Sequence, residues 1–184
     1  EFGRVIGVSE STLKRWIDSG EVKAHKTVGG HRRILIKDAL IFIRAKALDV
    51  VDPQPLKIPV ASIPDDIDEC NKLFLEYLRN GRGSEAKDLI FNQFLKGSTI
   101  SQLGDGPIKY ALQILSENNG QEYTDNLILE EHRATQICIR IVDYLHEFVV
   151  SNNPVFKAVG GGVPGDYYSL PSMLVSAVVS ENNG

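Results

Sequence analysis

The chain has little of what a secreted, metal-binding or membrane protein needs. Only two cysteines, Cys70 and Cys138, occur in 184 residues, and neither stands at zinc-ligand spacing from a partner. Each falls inside an amphipathic helical pattern, so both are expected to be buried free thiols in a reducing compartment. A run of the ~18 apolar residues that a spanning helix requires is missing. So is a charged-then-apolar leader, which leaves a cytoplasmic location as the expectation and no membrane partner. No nucleophile, base and metal group is spaced for catalysis, which argues against an enzyme. Net positive charge is missing as well: the chain carries -4, which by itself speaks against nucleic acid.

Splitting that charge reverses the inference. Residues 1 to 49 hold 10 Lys and Arg against 6 Asp and Glu, a net of +4, while the remainder holds 10 against 18, a net of -8. A basic head on an acidic body is the asymmetry expected when one module meets phosphate. The apolar content of 42% with 24% charged residues is that of an ordinary globular protein, and the length suits one or two domains.

The head is organised around Gly7 to Arg33. From Glu10 to Ser19, Leu13, Trp16 and Ile17 recur at helical spacing and form one apolar face, leaving Ser11, Thr12, Lys14 and Arg15 outside. Ser9 is the expected N-cap and Gly20 the stop, so the helix is short enough for a major groove. Glu1 to Ile6, with Phe2, Val5 and Ile6 apolar, reads as an earlier helix broken at Gly7, and the two make a helix-turn-helix. Val22 to Val28 and His31 to Ile36 are two short runs around Gly29-Gly30, a pair that supplies the positive φ of a tight hairpin. This predicts a wing whose tip presents Lys26, His31, Arg32 and Arg33, with open backbone at Gly30 where phosphate oxygens could approach.

At these residues the chain resembles the MerR-type winged helix-turn-helix regulators, whose pattern runs GVS-x-x-TLRRW-x-x-x-G and then a basic T-x-GGHRR wing. Lys14 stands where Arg is commoner, which keeps the charge and weakens a bidentate contact. The resemblance implies double-stranded DNA with a two-fold operator as partner, and a homo-oligomer to match it. The contact set it implies is Ser11, Thr12, Lys14, Arg15, Lys26, Gly30, His31, Arg32 and Arg33.

Lys37 to Leu48 is expected to be a third helix closing the head through Leu40, Ile43, Ala47 and Leu48. From Asp52 to Pro59 the prolines deny helix and favour an extended spacer, which places a linker at 51–63 between a head at 1–50 and a body. The body reads as four antiparallel amphipathic helices: Pro64 to Gly81, Ser84 to Lys96, a third from Thr99 disturbed at Gly104 to Pro107 and ended at Asn118 to Gly120, and a long fourth over Asp125 to Val150. Together they make a bundle at 64–153. Val155 to Val159 is a buried-strand candidate, Gly160 to Asp166 a glycine loop, and Leu170 to Val179 a helix. That is the first βα step of a Rossmann-like domain at 154–184. The fold class expected is mainly α: a winged helix-turn-helix head, a four-helix bundle and the start of an α/β domain. The chain opens inside a helical pattern and stops before a second strand, so both ends are expected to be clipped.

The long helix carries Glu131-His132 near its start. A lone histidine on a helix is ordinarily a surface or satisfied core residue. With a winged helix, a proline linker and a bundle of this length around it, the pair resembles the cobalamin-dependent MerR-like repressors of the CarH and LitR type. There the bundle caps cobalamin through a Trp, nine residues and Glu-His, and light governs release. The resemblance implies adenosylcobalamin as the cofactor of the longer parent, held by Glu131, His132, Val163 and Gly165, with His132 able to take cobalt. Gln121 stands at the Trp position, and the lower axial histidine of such domains lies beyond Gly184, so no cofactor is expected in this chain itself. The expectation is a cobalamin-responsive repressor. Its alternative is a regulator whose degenerate sensor answers to a protein partner or only dimerises.

Overall fold

The computed structural model of the chain describes residues 1–59, 64, 66–117, 125–150, 154–165 and 168–183. It divides into two compact units, Glu1–Ala61 with Leu95–Gly97 and Ser62–Phe94 with Ser98–Gly184.

In the first unit, helix α1 (Phe2–Val5) is followed by a turn through Gly7 and by α2 (Glu10–Asp18). Ser9 caps α2 as expected: its hydroxyl accepts the Thr12 N–H at 3.2 Å. The backbone turns away after Ser19 at Gly20, whose φ is +79°. Two strands of two residues each, β1 (His25–Lys26) and β2 (Arg32–Arg33), pair antiparallel with His25 opposite Arg33 and Lys26 opposite Arg32. These are far shorter than the runs expected from sequence. Their connection runs through Val28, Gly29 and Gly30, closed by Thr27 N–H to His31 O at 2.8 Å and Gly30 N–H to Thr27 O at 2.9 Å. Gly30 alone of the glycine pair takes a positive φ, +78°. A three-residue loop with glycine in the left-handed region replaces the two-residue turn, because it asks one residue rather than two to carry the reversed dihedral.

Helix α3 (Ile36–Lys46) closes the unit. Leu40 and Ile43 are buried as expected, but the other two positions of the expected face are not. Ala47 is exposed in a left-handed cap with φ 48°, and Leu48 donates back to Ile43 O at 3.0 Å. The helix has ended before Ala47, so its periodicity no longer governs that residue. Ala39 and Phe42 fill the core instead, Phe42 packing against Trp16 at 5.2 Å and Phe2 at 6.3 Å between ring centroids.

The proline segment is no spacer along its described length. Gln54–Leu56 forms a 3₁₀ turn, Leu56 and Ile58 are buried, and Val51 and Asp52 both donate to Val5 O, at 2.7 and 3.1 Å. Arg4 adds an ion pair to Asp52 at 3.0 Å. Proline excludes an α-helix but not a 3₁₀ turn, where Pro55 needs no N–H partner.

The second unit contains α4 (Ile67–Arg79), α5 (Gly83–Leu95), α6 (Ile100–Leu103), α7 (Lys109–Ser116), α8 (Asp125–Val149) and α9 (Leu170–Glu181). A π-helical turn at Gly104–Ile108, with Gly106 at non-helical dihedrals and Pro107 inside it, joins α6 to α7. Thr99 and Gln102 form a reciprocal capping box at the start of α6. The core takes Cys70, Phe74, Leu75 and Leu78 from α4, Ala86, Leu89, Ile90 and Phe94 from α5, and Ala134, Cys138, Ile141, Val142 and Leu145 from α8. Helices α5 and α8 run the same way, since Gly83 meets Ile137 while Phe91 packs on Tyr144 and Phe148 further along. The expected end of α7 at Asn118 to Gly120 lies outside the described residues, as does Gln121.

Helix α9 docks on this bundle. Ser180 Oγ lies 3.0 Å from His146 Nε2, and the Glu181 carboxylate accepts the Ile100 N–H at 2.8 Å. The strand expected at Val155 to Val159 is not formed. Val155, Phe156 and Val159 are exposed, and the hairpin is the only sheet among the described residues. A strand exists only with a neighbour to satisfy its alternating N–H and C=O groups. Here the main chain meets no other strand; Val155 N–H donates to Asn183 O, just past α9, at 2.7 Å.

Candidate nucleic-acid interface

The amphipathic period of α2 sorts its residues by face. Leu13, Trp16 and Ile17 turn toward the core and are half-buried, while Ser11, Lys14 and Arg15 are exposed on one stripe that also holds Asp18. Thr12 is half-buried at the margin of that stripe, its hydroxyl 2.9 Å from that of Ser9. Of the helix residues expected at the interface, three therefore share a face and the fourth serves the cap.

The hairpin lies beside this stripe. A groove of about 1260 Å³ is bordered by Ser11 and Lys14 from α2 and by Gly30, His31 and Arg32 from the hairpin. Arg15, Lys26 and Arg33 are exposed but do not border it. Lys14, Arg15, Lys26 and Arg33 make no ion pair among the described residues, whereas Arg32 is held by Asp18, Nη2 to Oδ1 at 2.5 Å. Lys46 is paired away with Glu21 at 2.7 Å, and together with the Ser19 hydroxyl it holds the Glu21 carboxyl below its usual range. Four cations without an ion-pair partner thus lie on the helix stripe and the hairpin, while Lys23 before β1 and Lys37 on α3 are likewise outside any ion pair among the described residues. At Gly30 nothing lies within 4 Å of where a side chain would begin, so its backbone stays open to an approaching oxygen.

Asp18 is the residue that sequence reasoning misses. A carboxylate in the last turn of a helix faces the negative end of the dipole, so an acid there signals a cationic partner. The sequence thus signals that Asp18 needs a cation but not that Arg32 supplies it.

The residues expected to hold a cofactor are placed apart. Glu131 forms part of the wall of an apolar groove of about 740 Å³, whose sides are Ile108 and Leu112 near α7 and Leu174 and Val178 on α9. His132 is exposed and not part of that wall, and Val163 and Gly165 are exposed beyond it. Among the described residues no group of three or more His, Cys, Asp and Glu could hold a metal ion. No helix among them is long and apolar enough to cross a membrane.

A helix-turn-helix domain family matches residues 3–46, the stretch from α1 through α3. The match supports reading this stretch as a helix-turn-helix DNA-binding domain and points to a regulator rather than an enzyme. Comparison of the chain with curated proteins gives no match.

Proposed function

We propose that the chain is a DNA-binding transcriptional regulator in which α2 reads the major groove and the hairpin serves as a wing on the adjacent backbone. The observation that carries this reading is the shared groove between the exposed stripe of α2 and the hairpin, with cations free of ion pairs on both elements. Ser11, Lys14 and Arg15 are the candidate readers of bases and near phosphates; Lys26, His31 and Arg33, with the open amide region of Gly30, are the candidate wing contacts. Binding as a two-fold homo-oligomer would match a palindromic operator. Fluorescence anisotropy against a duplex selected by the wild type tests it. Lys14→Ala and Arg15→Ala are each expected to weaken binding and to lower the slope of log affinity against log salt by about 0.9 for every phosphate the variant no longer neutralises. Slopes equal to wild type in both variants would overturn the contact surface.

The second unit is proposed as the controlling part. Cobalamin control rests on the resemblance alone, and the described residues do not converge on a corrin: Glu131 walls a groove, His132 lies off it, and Val163 and Gly165 lie elsewhere. The other reading, a helical unit that pairs with a second copy or with a protein partner, is favoured by the exposed apolar residues Val159, Val163 and Val175. A visible spectrum of the protein after dark incubation with adenosylcobalamin separates the two. Retained corrin absorbance supports the first; a colourless dimer on size exclusion supports the second.

A further inference from the structure

Arg32 has a partner that its sequence context does not announce, and the hairpin has a problem that this partner solves. Strands of two residues are too short to stand alone. Their register also sets Lys26 directly opposite Arg32, and like charges across a strand pair repel. Asp18 brings a carboxylate from α2 onto Arg32 Nη2, neutralising one of the two cations and tying the returning strand to the helix. On the other strand, His25 Nε2 lies 4.0 Å from Asp38 Oδ2 on α3, too far for a hydrogen bond. The hairpin is thus fixed by a side chain reaching α2 as well as by its own short ladder.

We propose that Asp18 and Arg32 form a latch that sets the position of the hairpin relative to α2, making Arg32 a positioning residue and not a phosphate contact. This deepens and rests on the reading of both elements as DNA-contacting. The latch fixes the distance between the groove read by α2 and the backbone met by the hairpin, so it determines which duplex geometries satisfy both at once. With Arg32 committed, the charge offered to phosphate is that of Lys14, Arg15, Lys26 and Arg33.

The full chain and its variants Asp18→Ala, Arg32→Ala and the double substitution are titrated against the selected duplex over a range of salt. Hydrogen exchange is followed in parallel at the Thr27 and Gly30 amides, whose bonds close the hairpin. The expected result is that both single variants weaken binding by the same factor, about threefold to fivefold, the range a half-exposed pair can supply. The double variant should be no weaker than either, the salt slope of Arg32→Ala should match wild type, and both amides should exchange faster in each single variant. Tighter binding by Asp18→Ala, together with a shallower slope in Arg32→Ala, would overturn the proposal by making Arg32 a phosphate contact that Asp18 restrains. Unchanged exchange at both amides in Asp18→Ala would overturn it independently of DNA. A wild type that binds no duplex would instead sink the DNA reading, while the exchange measurement still decides the latch.

Discussion

At Cys138 burial decides the chemistry. Removal from water pushes its thiol up to about 12, and burial raises Cys70 in the same direction. In the unfolded chain a cysteine ionises near ~8.5, so the folded state holds its proton over a range where the unfolded state has lost it. The stabilisation is complete below the unfolded value and is lost as pH rises toward the folded one. Urea unfolding is expected to show stability falling above about pH 9, each buried thiol adding up to about 1.4 kcal/mol per pH unit, and Cys138→Ala is expected to remove its own share of that slope. Thiol reagents at neutral pH should label neither cysteine faster than the chain opens. Burial of these two residues is legible because each sits on an apolar stripe. The partner of Arg32 is not, since a contact between residues 14 apart is a tertiary event that local pattern does not encode.

Among the elements, helix ends are more legible than strands. Ser9 is recognisable as a cap because a hydroxyl at the N-terminus satisfies an otherwise orphaned N–H, and Ser9→Ala is expected to cost about 1 kcal/mol. Thermal unfolding of the head measures it, with circular dichroism reporting loss of helix at α2. The long α8 spans almost its full expected length because apolar residues recur at helical spacing for 25 residues. Val155 to Val159 misleads because a short apolar run specifies burial without specifying a partner. Within the head, Phe42 escapes a face drawn through Ala47, because the left-handed cap takes over at Ala47 and ends the period on which that face depends. Helix α9 is apolar on nearly every side, a composition that suits covering all round, yet Val175 on it is 63% exposed.

For the whole molecule the legible quantity is charge. Residues 1–61 hold 11 basic and 7 acidic side chains, a net of +4, and residues 62–184 hold 9 and 17, a net of -8. A fragment of residues 1–61 is expected to bind non-specific duplex more tightly than the full chain at low salt. The difference should shrink as the screening length falls from ~10 Å near 0.1 M toward ~3 Å near 1 M. Anisotropy of both proteins across that range checks it, and an equal affinity at every salt would show that the acidic unit exerts no field at the contact surface. What no composition could foretell is how the head is finished. Its last stretch returns to its first helix, with Val51 and Asp52 bonded to Val5 O and Asp52 to Arg4, so the polypeptide of this unit closes almost into a ring. Tension applied to the chain beyond Ile58 is therefore expected to reach α1 through these bonds, just ahead of the turn that leads into α2, the helix proposed to read the duplex.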